Sequence, residues 1–300
     1  MNGKVNHAAQ LCSVKRVRFE GGRADGECAI LVDNGVLSFT VLESRAMDLF
    51  DFRYRGENLA FLSKNGLCGF EGGFDSVFPG GMLYTCGLDT VGGRALPVHG
   101  KLHNIPAEVE RVFCDGERVI LEGRVRQSEL FGEHLVLRRT IRTEYGSGRV
   151  TIENKVVNEG AKEAEYCLLF HMNLGYPFLD EGTFIEAPVC STQPRTAWAE
   201  KNRERCLVMG APTEGEEQVF FHTVREGDIR VVNPQKGLAV HFAYDGSMLP
   251  HFIEWKSMVA GTYALGIEPS TTTLDSDFCK RKIDAGERHR YVLSISVTQQ

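Results

Sequence analysis

Several things are missing from this 300-residue chain. No apolar run approaches the ~18 residues a membrane-spanning helix needs. There is no basic excess: 34 Lys and Arg against 40 Asp and Glu give a net charge of −6 and a pI near 5.9. The cations are scattered, which argues against a nucleic-acid partner and against an anionic membrane surface. The nine Cys are odd in number, stand singly and include no C-x-x-C pair, so neither a zinc ribbon nor a dithiol redox site is indicated. G-x-x-x-x-G-K-[ST], a G-x-G-x-x-G after a strand, H-E-x-x-H and G-x-S-x-G are absent. These absences remove the phosphate loop, the dinucleotide fold, the zincin and the α/β-hydrolase elbow. No block repeats at a period of 20 to 50 residues and nothing is of low complexity, which disfavours propellers and solenoids. The first ten residues are polar and lack the apolar core of a signal peptide, so we expect a cytosolic protein.

What is present is alternation. Apolar and polar residues alternate over 11–19, 28–31, 36–41, 118–125, 135–145, 149–157, 218–224, 229–232, 238–244 and 290–297. Period-2 patterns broken by Gly, Asn and Asp are the antiparallel sheet signal. Residues 145–148 (Tyr-Gly-Ser-Gly) form a hairpin-like connection, and residues 233–237 another turn. The pattern predicts an all-β protein of two large antiparallel sheets packed face to face, in a single domain over 1–300. The first ten or so residues are allowed to be disordered. Short helices are expected only near 43–49 and 196–201. The stretch 63–106, Gly-rich and irregular over roughly 40 residues, reads as a functional loop. Its aromatic rings beside carboxylates are what a sugar needs, because C–H faces stack and hydroxyls hydrogen-bond.

Four titratable groups stand out. Residues 166–170 are an apolar run (Tyr, Cys, Leu, Leu, Phe) that delivers His171 and Asn173 to its far end before Gly175-Tyr176-Pro177. A rigid strand ending in an imidazole is one way to mount a catalytic acid or base, although a structural histidine reads the same way. Glu268 likewise ends the apolar run 263–267, ahead of Pro269 and four hydroxyl residues. Partial desolvation there would raise its proton affinity toward general-base duty; a solvated strand end is the alternative. His99 and His103 are spaced i, i+4, but Pro97, Gly100 and Pro106 make a helical metal pair doubtful. Trp255 and Lys256 offer a stacking ring beside a donor, or simply a sheet edge. His134, His222, His241 and His289 lie in strand patterns with no role assigned.

In order, Arg53-Tyr54-Arg55-Gly56-Glu57-Asn58-Leu59, Thr85-Cys86-Gly87-Leu88-Asp89, Val98-His99-Gly100, the 170–177 stretch around His171, and Gly266-Ile267-Glu268-Pro269-Ser270 resemble the aldose 1-epimerase (galactose mutarotase-like) superfamily. The match is closest to a branch known as a domain of unknown function and runs from about Val36 to the C-terminus. The resemblance implies a β-supersandwich and an aldose 1-epimerase-type isomerase acting on a sugar without a cofactor or metal. It implies that Glu268 takes the proton from the anomeric hydroxyl, that His171 gives one to the ring oxygen, and that His99 bonds the sugar near that oxygen. The ring opens, C1 turns, and reclosure gives the other anomer. A homodimer is compatible with it. The N-x-x-x-F that commonly follows the acid histidine is replaced by Met172-Asn173-Leu174-Gly175-Tyr176. The usual Arg and Asp contacts to sugar hydroxyls have no direct match, and Asp89, Arg94, Asn173 and Lys256 are the substitutes we expect. His171 and Glu268 are expected to face one cleft, about a sugar width apart and a few ångströms beyond hydrogen-bond reach. Two other readings remain: a non-catalytic sugar-binding or sensing protein on the same fold, and a metal-dependent isomerase or lyase using His99, His103 and a carboxylate.

Overall fold

The computed structural model describes residues 3–69, 72–93, 96–275 and 278–300. Nearly every regular element is a strand, arranged in three antiparallel sheets. The first is a meander of five consecutive strands, Ser13–Arg18, Cys28–Asp33, Leu37–Leu42, Asp48–Tyr54 and Glu57–Asn58. The second has eight strands in the order Phe184–Glu186, Asp228–Asn233, Leu238–Tyr244, Arg288–Gln299, Arg149–Asn158, His134–Glu144, Arg118–Ser128 and Glu108–Cys114. The third runs Val189–Pro194, Gln218–Val224, His251–Ser257, Ala264–Ser270, Ala164–Gly175 and Arg281–Ile283. Its seventh strand, Tyr84–Leu88, pairs with Ala164–Gly175 as well.

The alternating stretches form strands because each can turn one side chain in two to an apolar interior. Ile152, Leu293 and Ile295 from the eight-stranded sheet meet Phe170, Met172 and Leu174 from the seven-stranded one in a single large core. The other face of the seven-stranded sheet carries a smaller cluster around Tyr84, Cys86, Val91, Leu169 and Ile253, and it is this face that holds the site.

Two expectations are corrected. Residues 43–47 form a tight turn rather than a helix, and 48–49 open the strand Asp48–Tyr54: Ala46 and Met47 take left-handed φ values of 52° and 57°, and Ala46 N–H bonds to Ile105 O at 2.9 Å. The pull is Arg45, which is buried in the turn and donates to the Cys68 carbonyl. The 63–106 stretch, expected to be irregular throughout, contains the Tyr84–Leu88 strand and a one-turn helix, Phe74–Val77. That strand is buried at every position and so shows no alternation to read. It is fixed from below by a buried polar network. Arg139 donates to Asp48 Oδ1 and to Thr85 Oγ1, both at 2.7 Å, and Asp48 Oδ2 accepts from Thr85 N–H at 2.8 Å. The helix expected at 196–201 is present as Ala197–Lys201, with Thr196 accepting from Ala199 N–H as its N-cap.

Candidate functional site

Register builds the centre of the site. On the paired strands Ala164–Gly175 and Ala264–Ser270, Leu169 faces Ser270 and Met172 faces Ile267. His171 and Glu268 therefore stand opposite each other, and cross-strand neighbours on one face have Cβ atoms only about 5 Å apart. Their side chains meet: His171 Nε2 lies 3.2 Å from Glu268 Oε1, with both groups almost wholly buried. This is closer than expected from the sequence, which placed them beyond hydrogen-bond reach. Space for the pair comes from Gly266. A Cβ at that position would stand 2.8 Å from His171 Cε1 and 3.0 Å from Glu268 Oε1.

His99 arrives from the glycine-rich loop, held at φ 64° by a turn in which Gly87 N–H donates to His99 O at 3.1 Å. Its ring packs edge-on against His171, 5.2 Å between centroids, and against Phe74 at 4.8 Å. Together with Phe61, Phe78 and Trp255, these groups line a cavity of about 660 Å³ whose wall includes His171 and Glu268. Trp255 lies edge-on to His171 at 5.6 Å and donates its indole N–H to Glu217 Oε2 at 2.8 Å. Arg195 also lines the cavity and is held by a two-pronged ion pair to Asp275, at 3.1 and 3.2 Å.

Burial sets the protonation states. Desolvation pushes the Glu268 carboxyl well above the usual carboxylate range; the charge of Glu217 adds to this and Arg195 opposes it. Desolvation pushes the His171 imidazole well below its ordinary value, helped by His99 and opposed by Asn173. His99 is lowered to about 4, again by burial. Burial thus favours the uncharged form of all three groups. The Nδ1 atoms of His171 and His99 are buried and poorly satisfied, with Asn173 the polar neighbour of the first ring and the Val91 backbone that of the second; such polar atoms in a cavity wall are available to a polar ligand.

The structure brings His171, Glu268 and His99 together, and separates the remaining candidates from them. Asp89 accepts from Lys101 N–H at 3.2 Å and closes its own loop, outside the cavity lining. Asn173 is fully buried outside the cavity lining and donates to Gly81 O at 3.0 Å and His171 O at 3.1 Å; its side chain also raises the proton affinity of the His171 ring. Lys256 is buried and donates to the carbonyls of Arg205, Cys206 and Val208, an internal cap on the turn at 203–208. Arg94 lies outside the described residues. His103 stacks on Tyr84 at 4.3 Å between centroids, and among the described residues no three His, Cys, Asp or Glu side chains converge as a metal site. Glu217, Arg195 and Phe61 were not singled out in the sequence. Glu217 and Arg195 lie just outside strand ends, where only the sheet pairing shows which way a side chain points.

No helix among the described residues is long and apolar enough to cross a membrane. A search of curated proteins returns no match. Among solved structures, a candidate aldose 1-epimerase of Klebsiella pneumoniae subsp. pneumoniae superposes with a TM-score of 0.84 at 20% identity, over 96% of this chain and 84% of that one. A galactose mutarotase-like protein of Clostridium acetobutylicum gives 0.73 at 11% identity, over 97% and 100%. At such identities the likeness shows the fold, and that fold is the galactose mutarotase-like β-sandwich. Residues 24–297 match the model of the family described as a domain of unknown function, DUF4432, and the chain belongs to that family.

Proposed function

We propose that the cavity binds a sugar and that the protein interconverts the anomers of a free aldose or modified sugar by acid–base ring opening. The observation that carries this reading is the buried His171–Glu268 pair, 3.2 Å apart, in the wall of an aromatic-lined cavity. Opening a cyclic hemiacetal asks for two proton movements. The proton on O1 leaves while the ring oxygen O5 gains one, the C1–O5 bond breaks, and C1 becomes an aldehyde. Reclosure on the other face reverses both movements, so no electrons and no nucleophile are required. A carboxyl and an imidazole holding one proton between them suit such a reversible exchange.

In the resting site that proton belongs on Glu268, because burial disfavours the separated charges of carboxylate and imidazolium. Sugar hydroxyls entering the cavity supply the hydrogen bonds that burial removed. The pair can then shift to carboxylate and imidazolium, with Glu268 accepting from O1 and His171 donating to O5. In this reading His99, uncharged, bonds the sugar beside His171. The rings of Trp255, Phe74 and Phe78 offer apolar walls to the C–H faces.

The test is exchange NMR between anomeric protons across a panel of aldoses. On a sugar whose exchange the protein accelerates, His171→Ala and Glu268→Gln should each lower kcat/KM by about 10²–10⁴-fold, the usual contribution of a positioned acid or base. An H171A protein exchanging anomers at the wild-type rate removes the reading. Saturable sugar binding with no acceleration of exchange would make the protein a sugar-binding module instead.

A further inference from the structure

The seven-stranded sheet offers more than one ring's worth of surface. Three of its strands present successive same-face residues first to the cavity just described and then to a second hollow beyond it. On Gln218–Val224, Val219 lines the first, and Phe221 and Thr223 line the second. On His251–Ser257, Trp255 lines the first, and Ile253 and His251 the second. On Val189–Pro194 the order is Arg195, just past the strand end, and then Gln193 and Ser191. The shift from Val219 to Thr223, or from Trp255 to His251, is four residues, roughly 13 Å along a strand. No single pyranose covers that length.

The second hollow, of about 250 Å³, has the chemistry of a neutral saccharide site. Ser191, Thr223 and Thr273 contribute hydroxyls, Gln193 an amide, Phe221 a ring and His222 and His251 imidazoles, and among the described residues no Asp, Glu, Lys or Arg lines it. Ser191 Oγ donates to Thr223 Oγ1 at 3.0 Å, which orients both hydroxyls on the sheet face. Thr273 Oγ1 is buried without a hydrogen-bond partner among the described residues. The two hollows are held in fixed relation by the Arg195–Asp275 ion pair. It ties the strand bearing Gln193 to the loop that carries Thr273, in the second hollow, and Leu274, in the first.

We propose that this second hollow is a subsite for a further neutral sugar unit. The preferred substrate is then the reducing end of a short oligosaccharide, with the reducing ring at His171 and Glu268 and the next units running along the sheet toward Thr223. The inference rests on the acid–base reading above for the first ring only. A uronic acid or a phosphorylated unit in the second position is disfavoured, because among the described residues no Lys or Arg lines it.

The test compares matched probes: glucose with maltose, maltotriose and cellobiose, xylose with xylobiose, and mannose with mannobiose. Exchange NMR gives kcat/KM for each. We expect at least one oligosaccharide to exceed its monosaccharide by tenfold or more. Thr223→Trp, which fills the hollow from an exposed position, should bring that ratio to about one, and the milder Gln193→Ala should lower it several-fold. A wild-type ratio of one in every series, or a ratio unchanged in both variants, overturns the subsite. If no probe is turned over, the acid–base reading fails separately, and saturation-transfer difference NMR decides the subsite alone. Signal on the non-reducing ring that is lost in T223W supports it, and its absence in the wild type refutes it.

Discussion

Replacing Gly266 by Ala tests whether the placement of the His171–Glu268 pair matters or only its presence. The position lies inside the Ala264–Ser270 strand and not in the left-handed region, so alanine fits its backbone. The added methyl has nowhere to go. It would sit 2.8 Å from His171 Cε1, 3.0 Å from Glu268 Oε1 and 3.2 Å from His171 Nδ1, whereas ordinary contact begins at 3.4 Å. The imidazole and the carboxylate therefore have to move by several tenths of an ångström in a packed wall. A misplacement of about 1 Å at a reacting group costs about 10²-fold in rate, so G266A should lose between 10- and 100-fold in kcat/KM. Stability should hold better, because alanine narrows the unfolded ensemble by about 0.4–1 kcal/mol, which offsets part of the crowding. The assay is exchange NMR on the aldose the wild type handles best, alongside a thermal melt. The His171 Hε1 resonance should also shift, a readout that does not depend on turnover. A variant that exchanges anomers within twofold of wild type while its Hε1 signal moves would refute the claim that this geometry carries the chemistry.

Two further outcomes follow from buried charge. Asp48→Ala leaves the Arg139 guanidinium buried and unpaired and should cost about 3–5 kcal/mol, read as a lowered urea midpoint. A loss below about 1 kcal/mol would show that the network beneath Tyr84–Leu88 is dispensable. The second concerns pH. His99 and His103 are held at about 4 and about 3, and His171 also lies well below its ordinary value, all by burial. Below about pH 6.5 the unfolded chain takes up protons that these three refuse in the fold, so their contribution to stability is lost as the pH falls. Glu268 has the opposite sign: its raised proton affinity favours the fold at low pH, and that contribution fades as the pH rises above about 4.5. Three histidines against two carboxyls, Glu268 and the buried Asp48, whose proton affinity desolvation also raises, give stability that rises between pH 4.5 and 6.5. Urea midpoints across that range should show the rise and His103→Phe should flatten it in part; a flat wild-type profile would contradict the burial argument.

The sequence by itself determined the fold class, because sheet-forming alternation is a local property. Gln218–Val224 and Leu238–Tyr244 begin and end where the pattern says, since each strand must turn one face to the core. His171, Glu268 and His99 were also legible as candidates, the first two by their place at the ends of apolar runs and all three by resemblance. Local pattern could not reach the strand Tyr84–Leu88, where both faces are buried and alternation vanishes. Nor could it sort the polar candidates. Lys256 and Trp255 are neighbours in the chain, yet strand alternation sends the indole to the cavity and buries the ammonium against the carbonyls of residues 205–208. Asn173 and Asp89 read as ligands for a sugar, but one is fully buried and bonded to the Gly81 carbonyl and the other closes its own loop. Only the tertiary structure decided these cases. Which residues meet across a sheet depends on register between strands about 100 residues apart, and that register is set by the packing of the whole core rather than by any one segment.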